Sequence, residues 1–191
     1  MSPRVLALIV GVALPTSALV STVPAEASTA DDCVVLLRPV SIEDDGAILT
    51  TPVDLGCYAT YAEALAVGSS GAIDVPDTMT PTALTDAALS TDTDLTVTAD
   101  VLIGTEFHAT NYTGPSKSYF ATATCSTGVV WDLATLGTWD DRFSSGKGFG
   151  GCDTNKKFQN ANFGGSVVTC TPNCTTYGSI NNDVSSLRWK P

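Results

Sequence analysis

The sequence predicts a mainly β protein: two similar four-stranded units packed as a sandwich, preceded by a small α+β segment. Three observations lead there. From Val101 onward, short β-type runs alternate with clusters of Gly, Asn and Ser, the texture of an all-β chain. The same stretch repeats itself, since Phe107-His-Ala-Thr-Asn-Tyr-Thr-Gly114 aligns with Phe158-Gln-Asn-Ala-Asn-Phe-Gly-Gly165. The charge also changes near residue 100. The 191 residues carry a net charge of −11, yet between 31 and 100 the only base is Arg38, while seven of the nine basic residues follow residue 100. Such a step marks a compositional boundary.

At the start of the chain, Met1-Ser-Pro-Arg4 supplies a basic end and Val5 to Val20 an apolar run, followed by Ala25-Glu26-Ala27. That order is expected of a secretory signal peptide over residues 1–27. Pro15, Thr16 and Ser17 interrupt the run, leaving it short of the ~20 apolar residues that cross a bilayer. The mature protein is therefore expected outside the cell, with no membrane anchor once the signal is removed. All six cysteines lie beyond residue 27, and an even number in an exported chain reads as disulfides. Several pairings are open, and the expected one is Cys33–Cys57, Cys125–Cys152 and Cys170–Cys174. A zinc cluster is disfavoured by the lack of a Cys-x2-Cys pair and by the single histidine, His108.

Residues 28–100 form the acidic α+β segment. Cys33 to Leu37 is a strand candidate ended by Arg38-Pro39. Tyr58 to Ala66 is a helix candidate with Thr60 as N-cap and Gly68 as its stop. Thr82 to Leu89 is a second short helix. Acidity without a basic stripe argues against nucleic-acid binding.

Residues 101–191 hold the repeat. Each copy reads aromatic, three residues, Asn, aromatic, one residue, Gly. The aromatic at the first position is expected to pack over a hairpin, and the Gly to supply a positive φ. Further on, Gly137-Thr-Trp-Asp-Asp-Arg-Phe-Ser-Ser145 aligns with Gly178-Ser-Ile-Asn-Asn-Asp-Val-Ser-Ser186. The first alignment steps by 51 residues and the second by 41, so the first unit holds ten extra residues, placed between Thr122 and Leu136. One unit alone buries only one face of its sheet, which makes the pair the folding unit.

These residues resemble the βγ-crystallins. The aromatic–Gly hairpin of that family is matched by Phe107/Gly114 and Phe158/Gly165. The calcium signature of its microbial members, [Asn/Asp]-[Asn/Asp]-x-x-[Ser/Thr]-Ser, is matched by Asp140-Asp-Arg-Phe-Ser-Ser145 and Asn181-Asn-Asp-Val-Ser-Ser186. The resemblance covers residues 101–191 and implies a two-motif Greek-key β-sandwich, βγ-crystallin-like, over that range. The arrangement is also similar to secreted actinobacterial proteins grouped with a metalloproteinase-inhibitor family of the same fold.

What the resemblance implies for chemistry is calcium. The ion takes six to eight oxygen ligands in flexible geometry, and each signature offers carboxylate or amide oxygens, a carbonyl and a hydroxyl, with no soft ligand to favour zinc or copper. In the family the two arcs cross. Carried over, one ion takes the carbonyls of His108 and Arg142 with the hydroxyl of Ser185. The other takes the carbonyls of Gln159 and Asp183 with the hydroxyl of Ser144. Oxygens from Asp140 or Asp141 and from Asn181 or Asn182 complete the shells, and the cationic Arg142 is expected to weaken the first site.

Other constellations are weaker. Gly146-Lys-Gly-Phe-Gly-Gly151 lacks the ending of a phosphate loop and is read as a flexible linker between the units. Trp131, Trp139 and Trp189 are read as core. No Gly-x-Ser-x-Gly or His-Glu-x-x-His occurs, so the sequence predicts a binding protein rather than an enzyme. The alternative class is a secreted protease inhibitor, with Cys170-Thr-Pro-Asn-Cys174 as a loop pre-organised for a protease by its disulfide.

Overall fold

The computed structural model describes residues 31–89 and 99–191. The signal-peptide reading falls on residues outside that range. Among the described residues no helix is long and apolar enough to cross a membrane.

The chain opens on a hairpin, β1 (Asp32–Ile42) and β2 (Ile48–Tyr58). β1 does not end at Arg38-Pro39 as the sequence suggested. It runs on through a register shift between Pro39 and Ser41, where the proline's missing N–H is tolerated at a bulge. β2 was not foreseen, because its Thr, Pro and Gly dilute the strand signal. Cys33 and Cys57 face each other in register and are disulfide-bonded. Helix α1 (Tyr61–Gly68) follows, its first turn capped by the Thr60 hydroxyl, which accepts from Glu63 N. The expected stop, Gly68, is the last helical residue, with Ser69 as the C-cap. A Cβ at Gly68 would collide with the Phe120 ring, so glycine lets the helix lie flat on the sheet. The second helix, α2 (Asp86–Leu89), is shorter than expected.

The repeat then unfolds as β3 (Val101–Ala109), β4 (Thr113–Ala121), β5 (Trp131–Leu133) and β6 (Ser145–Gly148), followed by β7 (Thr154–Asn160), β8 (Gly164–Cys170) and β9 (Ser186–Lys190). The hydrogen-bonded order is β6-β3-β4-β1-β2-β5-β9-β7-β8. Each unit lends its third segment to the other's half of the sheet. β5 of the first unit pairs with β9 of the second, and Cys174 of the second bridges Gly146 on β6 of the first. The sheet curls on itself, so that Ile103 and Tyr119 from one half share a buried core with Leu133, Leu187 and Trp189 from the other.

The hairpin of residues 32–58 sits inside this order. β1 runs parallel to β4 and β2 parallel to β5, bridging two strands that belong to the same unit. The charge step near residue 100 thus coincides with no break in the sheet. The inserted hairpin also accounts for the extra residues of the first unit. Its connection from β4 to β5 must pass two strands, about 14 Å at normal interstrand spacing. In the second unit, by contrast, Cys170 leads to Cys174 directly. The longer connection is held by Cys125–Cys152 and by Ile48 N donating to Val130 O at 2.8 Å.

Outside the curled sheet, α1 and the turns after it cover Leu102, Phe120 and Phe149 in a second core. Lys147 of β6, largely buried, donates to the carbonyls of Pro81, Thr82 and Leu84 at 3.0, 3.0 and 2.8 Å. Arg38 grips both oxygens of Asp100 at 2.6 and 2.8 Å. One expectation is corrected here. The glycine-rich run 146–151 is no flexible linker in its first half, because Ser145–Gly148 is a buried strand. Its glycines leave room for neighbouring side chains: a Cβ at Gly148 would collide with the Asn155 amide.

Candidate ion-binding site

The two hairpins that lead into the site are built alike. Asn111 and Tyr112 have φ of 57° and 61°, and Asn162 and Phe163 have 54° and 63°. Gly114 and Gly165 stand at 75° and 74°, the positive φ anticipated from the repeat. Phe107 meets Tyr112 edge-on at 5.8 Å between ring centres, and Phe158 meets Phe163 at 5.6 Å. The last serine of each signature pins its own unit's hairpin. Ser145 Oγ donates to Ala109 O at 2.6 Å and accepts from Tyr112 N at 3.0 Å. Ser186 Oγ donates to Asn160 O at 2.8 Å and accepts from Phe163 N at 3.0 Å. The sixth position of the signature is thereby explained by folding alone.

The other signature positions reach across to the opposite unit. Asp141 and Asn182, the second positions, have φ of 57° and 55°, a conformation that Asp and Asn tolerate better than other side chains. Asp141 N donates to Val184 O at 3.1 Å and Asn182 N to Phe143 O at 2.9 Å. Side chains cross in the same way: Ser144 Oγ donates to Asn182 Oδ1 at 2.8 Å, and Ser185 Oγ to Asp141 Oδ1 at 3.4 Å. Ser144 and Ser185 are themselves fixed by their amides, which donate to Phe107 O and Phe158 O at 2.8 and 2.9 Å. The structure therefore brings together Asp141 with Ser185, and Asn182 with Ser144, selecting the second member of each Asx pair as the one beside the opposite hydroxyl.

The remaining candidates lie around these two pairs. His108 and Gln159 follow the hairpin aromatics on β3 and β7, with the His108 side chain exposed. Gln159 Nε2 donates to Asp183 Oδ2 at 2.6 Å. Arg142 is exposed. Asp140 and Asn181, the first positions, close turns through their amides to Gly137 O and Gly178 O, and Asn181 Oδ1 is buried without a hydrogen-bond partner in the protein. Desolvation pushes the Asp141 carboxyl up, the Asp140 and Asp183 charges add to this, and the Ser185 hydroxyl opposes it. Among the described residues no group of three or more His, Cys, Asp or Glu gathers as a side-chain metal cage. The candidate ligands are instead carbonyls, hydroxyls and Asx oxygens.

Residues that sequence reading passed over lie just beneath. Glu106 and Lys157, each preceding a hairpin aromatic, are buried and ion-paired with one another. Their signal was present in the alignment, as opposite charges at matching places in a repeat.

Replacing Gly114 by Ala should cost about 1 kcal/mol, from the positive φ alone, because the added Cβ finds its nearest neighbour at 3.5 Å. Gly165→Ala should cost more, about 2–3 kcal/mol, since its Cβ would stand 2.9 Å from the Asn160 amide and 3.0 Å from Gln159 Cβ. Urea unfolding of the two variants checks the order.

No family model matches the chain, and no curated protein matches it. Solved structures do resemble it. The N-terminal domain of protein S is 20% identical, with a TM-score of 0.35, covering 46% of this chain and 93% of that one. A βγ-crystallin domain from Clostridium beijerinckii is 22% identical at TM-score 0.36, covering 46% and 97%. A βγ-crystallin from an archaeon is 22% identical at TM-score 0.35, covering 47% and 98%. The likeness is one of fold, and the mainly β, two-unit architecture of the chain rests on its own strand order.

Proposed function

We propose that the chain is an exported calcium-binding protein of βγ-crystallin type, with two ions held in crossed clamps between its β units. The observation that supports this most is the reciprocal pairing of signature oxygens. Ser144 Oγ and Asn182 Oδ1 stand 2.8 Å apart, and Ser185 Oγ and Asp141 Oδ1 3.4 Å. Adjacent oxygens about 2.4 Å from a common calcium are separated by roughly 2.8 Å at pentagonal and 3.4 Å at right angles, so both pairs suit a shared ion. The all-oxygen donor set and the unpartnered Asn181 Oδ1 of the second signature fit a hard cation as well. The first site would draw on the His108 and Arg142 carbonyls, Asp141 and Ser185. The second would draw on the Gln159 and Asp183 carbonyls, Asn182 and Ser144. A bound ion would supply positive charge that joins the two units, so the role is binding rather than catalysis. Export is supported by the signal-like sequence of residues 1–27 and by three disulfides, which belong to an oxidising compartment.

Calorimetric calcium titration of serine variants tests the crossing. Ser185→Ala should weaken the ion carried mainly by the first signature, and Ser144→Ala the other, each by about tenfold. Damage confined to the mutated signature's own ion would reject crossed clamps. Arg142→Ser should tighten the first site.

A second reading is inhibition of a secreted metalloprotease through residues 170–174. Its support is the way this short loop is held. The disulfide closes it, Gly148 N donates to Asn173 Oδ1 at 3.2 Å, Asn155 Nδ2 donates to Pro172 O at 2.7 Å, and Cys174 pairs with Gly146. Thr171 is left exposed on this fixed loop. Thr171→Trp should abolish inhibition in a panel of such proteases, and a panel that the unaltered protein does not inhibit removes this reading.

A further inference from the structure

Glu106 and Lys157 occupy the same place in the two repeats, one residue before Phe107 and Phe158. They belong to β3 and β7, strands far apart in the order of the sheet, and they meet across the interior where the sheet curls over. Both are almost wholly buried, at 0% and 1% exposure. Lys157 Nζ bonds one carboxylate oxygen of Glu106, and the Tyr177 hydroxyl donates to the other. The ammonium also lies over the rings of Tyr177 and Trp189, at 5.8 and 5.4 Å. The backbone has been cleared for this group, since a Cβ at Gly146 would collide with the Tyr177 hydroxyl and the Glu106 carboxylate.

Stability alone does not account for such a pair. Taking two charges out of water costs several kcal/mol per ion, and an apolar replacement of equal volume is often as stable or more so. What the pair has and an apolar contact lacks is direction. Leucine against leucine tolerates a lateral slip between two sheets, whereas a carboxylate gripped by an ammonium and a phenol does not. Its connections run straight to the ion-binding loops. The carbonyl of Phe107, next to Glu106, holds Ser144 N, and that of Phe158, next to Lys157, holds Ser185 N. Tyr177 N donates to Ser144 O at 2.9 Å while its hydroxyl bonds Glu106.

We propose that Glu106 and Lys157, with Tyr177, are positioning residues for both candidate ion sites. They fix the two β units in the one mutual placement where each unit's hydroxyl reaches the other's Asx. The part that concerns ions rests on the calcium reading above; the part that concerns placement does not. Because both clamps lie across the same junction, loosening it weakens the two together, unlike any change within a single loop.

The test uses the full chain carrying E106L, K157M and Y177F together, which removes the polar group without leaving a charge unpaired. Two properties are read. In chelator, hydrogen exchange follows the amides of Asp141 and Asn182, which bond across the units to Val184 O and Phe143 O. In the triple variant these should lose about tenfold in protection while the β3–β4 and β7–β8 ladders keep theirs. Calcium titration should show both dissociation constants raised about tenfold, as loss of a supporting shell does. Unchanged exchange at Asp141 and Asn182, or wild-type calcium constants in the triple variant, would overturn the proposal. Wild-type protein that takes up no calcium would sink the calcium reading only, and the exchange arm would still decide the placement. If the triple variant does not fold, Tyr177→Phe alone is read in the same two ways, and wild-type values in both overturn the proposal.

Discussion

Neither β unit completes its own half of the sheet, and most of what is distinctive in this molecule follows from that. β5 leaves the first unit to pair with β9, and the segment at Cys174 leaves the second to pair with β6. Each unit is thus an edge partner of the other, and separating them would strip hydrogen bonds as well as apolar contacts. The loops that carry Asp141 and Asn182 are brought against one another by the same exchange. Their amides and side chains find partners on the opposite unit because the backbone has already crossed there.

The exchange also leaves one side of the sandwich open to insertion. On the side of Cys170–Cys174 the chain passes between the sheet halves in a few residues, and a disulfide closes the passage. On the other side, β4 and β5 are spread apart by the hairpin of β1 and β2, which makes a continuous sheet of what would be two edges. Exposed edges invite pairing with other chains, and here the protein covers two of them with its own N-terminal residues. The same hairpin presents Val34 to α1 and Val35 and Leu37 to the central core, joining the two apolar clusters.

Much of this was legible in the sequence, and the reasons for the rest are physical. The repeat showed the hairpins because positive φ at Gly114 and Gly165 and the aromatic at the first position are local demands, written in adjacent residues. Thr60 as a helix cap was legible for the same reason. β2 was not, because Pro52 and Gly56 speak against a strand locally, and only the pairing with β1, with its register shift beside Gly56, makes one of these residues. Gly146 and Gly148 looked like a linker because their purpose is to make room for Tyr177, Glu106 and Asn155, residues distant in the chain. In the candidate site, Asx and Ser types were visible, but choosing Asp141 and Asn182 over Asp140 and Asn181 required the left-handed backbone at the second position. Glu106 and Lys157 were hidden by a general rule, since charges alternating with apolar residues in a strand ordinarily face water.

Calcium is the claim on which the functional account turns, and thermal unfolding tests it most directly. An ion that binds only the folded state adds RT ln(1 + [L]/Kd), about 1.4 kcal/mol per site at 1 mM calcium and a constant near 10⁻⁴ M. Two such sites should raise the melting temperature by about 5–10 °C between chelator and 1 mM calcium. Equal melting temperatures in the two conditions would contradict the account and leave the paired signatures as turn chemistry alone.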